Sequence, residues 1–169
     1  MTLAICIYKY EDQTMTSPQN SVVAPKEGDT APKFTLPAFP SGNVTLEEFS
    51  GKKNVILAFY PKDDTPGCTK EMCAFSDDLQ KFSEAHTQVI GISCDSVDHH
   101  EKFAGKYSLK QILLADQGGV IGKAYGTVVE GKATANRVLF VIDKKGIIRH
   151  IYQGMPNNEA LLAFVRTLE

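Results

Sequence analysis

Residues 54–60, NVILAFY, limit the fold more than any other stretch of this chain. The run is apolar after its first residue and carries no charge, so a strand made from it has no face to offer water. It must be a central strand covered on both sides, as in sheets whose parallel strands are joined through helices. The next residues fit that plan. From Thr65 the pattern turns helical: Thr65 stands at the N-cap, Pro66 at the first helical position, and Met72, Phe75, Leu79 and Phe82 recur at spacings of three and four. QVIGISC (88–94) is a second apolar strand, VDHHEKFAGKY (97–107) a second helix, ILLAD (112–116) a short strand and GVIGKAYG a helical turn. RVLFVIDKKGIIRHIY (137–152) divides into two strands about a DKKG hairpin, and NNEALLAFVRTL (157–168) closes as an amphipathic helix with Asn as its cap. Upstream, FTLPAF (34–39) and NVTL (43–46) flank an SG turn, and Thr45 with Glu48 makes a capping box for a helical turn. The order β-α-β, a linking helix, then β-β-α predicts an α/β protein with a thioredoxin-like fold, a central mixed β-sheet flanked by helices.

The rest of the chain bounds what such a domain does. Residues 14–32 are rich in Ser, Thr, Pro and Gly and lack periodicity, so they are expected to be a flexible leader, with folding beginning near Lys33. The organisation predicted is a leader over residues 1–25 and one domain over 26–169; Met15 is a possible natural first residue. The apolar run LAICI is too short for a signal-peptide core, and the first arginine is Arg137, so neither an export signal nor a transit peptide is expected, and the cytoplasm is the default location. A formal net charge of -2 without a basic run argues against nucleic acid or a membrane surface as partner. The four cysteines, Cys6, Cys68, Cys73 and Cys94, are too few for a disulfide-stapled secreted scaffold. Cys6 and Cys94 stand alone; Cys94 falls at the C-terminal end of a predicted parallel strand, where sites gather in α/β sheets, although a small buried hydrophobe is its simpler role.

Cys68 and Cys73 carry more information. On a helical wheel of about 100° per residue, Cys68 lies on the stripe of Met72, Phe75, Leu79 and Phe82, whereas Cys73 falls about 140° away on a more exposed flank. In an intact helix their Cα atoms are about 8.7 Å apart, beyond the roughly 7 Å limit for a disulfide, so they cannot bond while the helix is folded. Cys68 occupies the first turn, where unpaired N–H groups and the helix dipole favour a thiolate. An efficient reaction also needs groups that stabilise the charge developing at the transition state. Thr65 and Arg137 are the candidates. The Thr65 hydroxyl either caps the helix at the Cys68 backbone or faces the sulfur and a substrate. Arg137 opens an apolar strand, where a guanidinium needs a reason; a surface ion pair is the plainer one.

Pro61, Thr65 and Cys68 fit the PxxxTxxC signature of peroxiredoxins, and YPKDDTPGCTKEMCAF resembles the bacterioferritin-comigratory, or peroxiredoxin Q, subgroup. The resemblance runs from about residue 26 to the C-terminus and includes ILLAD, KAYG and the RxxFxID stretch at 137–143. It implies that Cys68 is a peroxidatic cysteine, attacking hydrogen peroxide or an organic hydroperoxide to give a sulfenic acid. It also implies that Cys73 resolves that acid as a Cys68–Cys73 disulfide, which thioredoxin or a related dithiol then reduces. Thr65 and Arg137 would hold the thiolate and polarise the peroxide, and Pro61 would shield the sulfenic acid. No cofactor or metal is implied, and an intramolecular resolving cysteine favours a monomer. Two departures stand out: Leu139 replaces the family's usual Thr near Arg137, and SLKQ replaces a Pro-rich stretch before LLAD.

A metal site, a general disulfide oxidoreductase and a peroxide sensor compete with this reading. CxxxxC lies at the edge of zinc spacing, but no second close pair accompanies it, and the adjacent His99 and His100 diverge on a helix. A general disulfide oxidoreductase favours CxxC, which closes without unwinding. A peroxide sensor would use the same cysteines without turnover.

Overall fold

The computed structural model describes residues 23–128 and 131–168. Cys6, the leader expected over residues 1–25 up to residue 22, and the possible start at Met15 lie outside the described residues. The elements run β1 (Thr35–Phe39), β2 (Asn43–Thr45), a short 3-10 helix (Leu46–Phe49), β3 (Asn54–Phe59), α1 (Pro66–Glu84), β4 (Thr87–Ser93) and α2 (Val97–Tyr107). They continue with β5 (Ile112–Ala115), α3 (Val120–Ala124), β6 (Val138–Ile142), β7 (Ile148–Gln153) and α4 (Asn158–Val165).

All seven strands join one mixed sheet in the order β2-β1-β5-β4-β3-β6-β7. NVILAF is its centre: β3 pairs in parallel with β4 and antiparallel with β6, and each of its residues is buried. The two-residue alternation of a strand sends these side chains to opposite sides. Ile56, Ala58 and Tyr60 enter the core formed with Met72, Phe75 and Phe82 of α1, Phe103 of α2 and Leu161, Leu162 and Val165 of α4. Val55, Leu57 and Phe59 enter a second core with Ile90, Ile92, Tyr125, Phe140 and Ile148. Gly91 of β4 lets α1 approach closely, since a Cβ there would lie 2.9 Å from the Met72 sulfur and 2.8 Å from Leu113.

The thioredoxin-like plan is present, with several boundaries moved. Leu46 belongs to the 3-10 helix rather than to β2, because Glu48 accepts a hydrogen bond from the Thr45 N–H at 2.9 Å and turns the chain there. The closing helix ends at Val165 instead of running to residue 168, and the Asn157 side chain caps its start by accepting from the Ala160 N–H at 3.0 Å. Ordered backbone begins before Lys33: Gly28 and Ala31 donate to the carbonyls of Ile148 and Gly146, and Thr30 bridges Ile147. A segment without hydrophobic period is thus held by backbone pairing at the start of β7, which a hydrophobic period does not reveal. Leu139, the departure noted near Arg137, is 1% exposed in the α1 side of the core.

Candidate active site

The chain leaves β3 at Phe59 and reaches α1 through Tyr60–Thr65, which places Cys68 in the first turn of a continuous helix of 19 residues. Packing beside Met72 and Phe75 buries Cys68 to 1% exposure. Cys73 is half-buried on the flank of the same helix, and burial, with Asp77 nearby, raises its thiol above the ordinary value. Both thiols are free, as helical geometry requires of a pair five residues apart in one unbroken helix.

Arg137 comes from the other side of the sequence. It immediately precedes β6, which pairs with β3, so the strand register carries its side chain to the mouth of α1. Nη2 donates to Cys68 Sγ at 3.3 Å, and Nη1 donates to the Glu71 carboxylate. Gly67 makes room for the guanidinium, since a Cβ at that position would lie 3.1 Å from Nη2. Although burial opposes the charge, Glu71 and Cys68 raise Arg137 above its ordinary value and hold it as a cation. The ion pair entertained for Arg137 therefore exists, but its partner is 2% exposed and the same guanidinium also meets the sulfur.

Glu71 was not anticipated. A carboxylate three residues after Cys68 falls on the buried side of the helix and has no cationic partner on it; that mismatch is the signal that points to a distant arginine. Burial pushes its carboxyl up to about 7 against the pull of Arg137, and Oε1 has no hydrogen-bond partner among the described residues.

Thr65 departs from the capping expectation. Its backbone has the extended N-cap conformation, but its hydroxyl does not cap the helix; it donates to the Lys62 carbonyl at 3.0 Å. That bond tightens the loop and leaves the first-turn N–H groups without a side-chain cap. Pro61, just past β3, is half-buried, and its carbonyl accepts from the Thr134 hydroxyl at 2.9 Å. Cys94 sits one residue beyond β4, half-buried, with its thiol raised by burial and by Asp116 and Asp95. Half-buried amid acidic neighbours, it lacks the setting that activates a thiol.

Among the described residues no group of three or more His, Cys, Asp or Glu side chains is placed to hold a metal, and no helix is long and apolar enough to cross a membrane. The site therefore consists of a buried sulfur at a helix N-terminus, a guanidinium against it, and a carboxylate that fixes the guanidinium. It can hold an anionic sulfur and stabilise a second negative charge forming beside it.

Residues 27–151 match the AhpC/TSA family. The chain is 44% identical over 131 residues to a putative peroxiredoxin bcp of Coxiella burnetii, spanning 74% of this chain and 86% of that protein. It is 43% identical over 129 residues to the chloroplastic peroxiredoxin Q of Triticum aestivum, spanning 76% of this chain but only 59% of the wheat protein's length. Among solved structures, peroxidoxin BcpB of Mycobacterium tuberculosis superposes with a TM-score of 0.78 at 32% identity, covering 85% of this chain and 98% of that one.

Proposed function

The chain belongs to the AhpC/TSA family, in its peroxiredoxin Q and bcp group, and on that premise we propose that it is a thiol peroxidase acting on hydrogen peroxide and organic hydroperoxides through Cys68. The observation that carries this is the Arg137 guanidinium 3.3 Å from a buried sulfur at a helix N-terminus. The Cys68 thiolate attacks the nearer oxygen of ROOH; an S–O bond forms, the O–O bond breaks, and the electron pair leaves on RO⁻. Sulfur is oxidised and the peroxide reduced by two electrons. Arg137 and the uncapped first-turn N–H groups stabilise the charge as it passes from sulfur to the leaving oxygen, which takes a proton to become ROH.

The Cys68 sulfenic acid is then resolved by Cys73, with loss of water and formation of a disulfide. A dithiol protein such as thioredoxin reduces that disulfide, so that ROOH and two electrons and two protons from the dithiol give ROH and water. Resolution requires the first turns of α1 to open, because the folded helix keeps the two sulfurs apart. Since both cysteines lie in one chain, the same proposal has the enzyme act as a monomer, in the cytoplasm, in antioxidant defence.

Intact mass after one equivalent of peroxide tests this. Wild type should lose about 2 Da as the intramolecular disulfide forms, and Cys73→Ser should gain about 16 Da as a sulfenic acid or trap a mixed disulfide. Chiefly intermolecular dimers from wild type would overturn the role of Cys73, and an unchanged mass in both would overturn that of Cys68. Continuous peroxide consumption with thioredoxin, thioredoxin reductase and NADPH separates an enzyme from a sensor, which reacts once.

A further inference from the structure

Three residues of helix α2 grip the two loop positions just before Thr65. At the first, Asp63 is buried; it accepts from the Tyr60 hydroxyl at 2.6 Å, its second oxygen meets His100 Nδ1 at 2.8 Å, and its N–H donates to Asp95 at 2.8 Å. His100 is fully buried, and its other nitrogen reaches the Leu114 carbonyl of β5 at 3.0 Å. A carbonyl only accepts, so Nε2 carries a proton and the ring spans loop and sheet. At the second position, Asp64 adopts φ +58, a left-handed conformation uncommon outside glycine. Lys106 holds its carboxylate with bonds of 2.8 and 2.9 Å, and the Tyr107 hydroxyl donates to it at 2.6 Å.

The other end of the same region is anchored as firmly. Asn158 of α4 donates to the Ala74 carbonyl at 2.9 Å and to Asp78 at 3.0 Å, and the Ser76 hydroxyl accepts from the Lys110 N–H at 2.9 Å. Between these anchors lie residues 66–73, the part of α1 that must open if Cys68 and Cys73 are to meet. Among the described residues, the hydrogen bonds that tie this stretch to the rest of the fold are Gln111 to the Met72 carbonyl at 3.0 Å and the Arg137 contacts, beside the core packing of Cys68 and Met72.

We propose that α2 is a clamp that holds the mouth of α1 closed, with Lys106, Tyr107 and His100 as positioning residues that set how often the Cys68–Cys73 segment opens. The inference rests on the reading of Cys68 and Cys73 given above. With Asp63 and Asp64 held, Thr65 is presented in the conformation that starts the helix, and opening is confined to residues between the clamp and Asn158. Release of Asp64 lets its backbone relax from the left-handed region, and the first turn loses its fixed point.

The test uses substitutions on α2 that keep the ring of Tyr107 in place, Lys106→Met with Tyr107→Phe, and Lys106→Arg as the conservative control. In the reduced protein, amide exchange over residues 66–73 should speed by roughly fivefold, the size expected for loss of an exposed charge-assisted pair, with exchange over residues 78–84 unchanged. After mixing with peroxide, the first-order step that forms the disulfide should accelerate by roughly the same factor, while the second-order oxidation of Cys68 does not rise. Lys106→Arg should restore both towards wild type. Unchanged exchange and unchanged disulfide formation in the double variant overturn the clamp, as does a slower disulfide step; a lowered melting temperature alone counts as that failure. If wild type forms no Cys68–Cys73 disulfide, the exchange measurement still decides the clamp, and the mass measurement identifies the failed reading of the cysteines.

Discussion

Glu71 shows how one buried side chain ties stability to the site. Its carboxyl rises from an ordinary 4.5 to about 7 because burial outweighs the attraction of Arg137. Between those two values the folded protein binds more protons than the unfolded chain. The contribution of Glu71 to stability is therefore fully present below 4.5 and is lost as the pH rises through about 7. Glu71→Gln removes this dependence. Compared by urea unfolding at about pH 4 and about pH 8, the variant should gain on wild type by up to about 3 kcal/mol as pH rises; parallel stabilities would show that the carboxyl is not raised. Part of this residue's role was legible beforehand: a carboxylate beside Met72 and Phe75 is out of place on an apolar stripe. That its partner is Arg137, 66 residues away, is a product of β6 pairing with β3.

At the scale of the element, α1 holds two requirements that oppose each other. On the proposed mechanism its first turn must be intact to present Cys68 to the Arg137 guanidinium, and must come apart for Cys68 to reach Cys73. Pro66 starts the helix at an exposed position, but Cys68, Glu71 and Met72 within the segment that would open are buried, so opening also draws these side chains out of their packing. Oxidised protein should accordingly contain less helix than reduced protein. Far-UV circular dichroism should weaken on oxidation, and amide exchange should speed over residues 66–76 but not over 78–84, where Asp78 and Phe82 remain held. Equal spectra and equal exchange in the two states would rule out unwinding. The wheel angle of Cys73 was enough to argue for opening, because disulfide reach depends only on helical geometry. Its limits were not legible, because Asn158 and the α2 residues that bound it come from later segments.

At the scale of the molecule, the central sheet separates the reactive side from a second core. Phe140 lies among Phe59, at a ring separation of 5.8 Å, and Tyr125, at 5.0 Å, on the face opposite Cys68. Phe140→Ala should cost about 3–5 kcal/mol of unfolding free energy, and Phe140→Leu clearly less. At temperatures where both variants stay folded, Cys68 should react with peroxide at the wild-type rate in stopped flow, and a proportional loss of rate would show that the two faces are coupled. Sequence alone determined the features that depend on local chemistry: the central strand, because an uncharged apolar run has no exposed face; the helix start at Thr65–Pro66; and the separation of the two thiols. Tertiary structure alone decided the direction of the Thr65 hydroxyl, the burial of Glu71 against Arg137, and the hold of α2 on Asp63 and Asp64. The last two join side chains from distant segments, and such contacts exist only once the fold has brought the segments together; the Thr65 hydroxyl took an acceptor within its own loop.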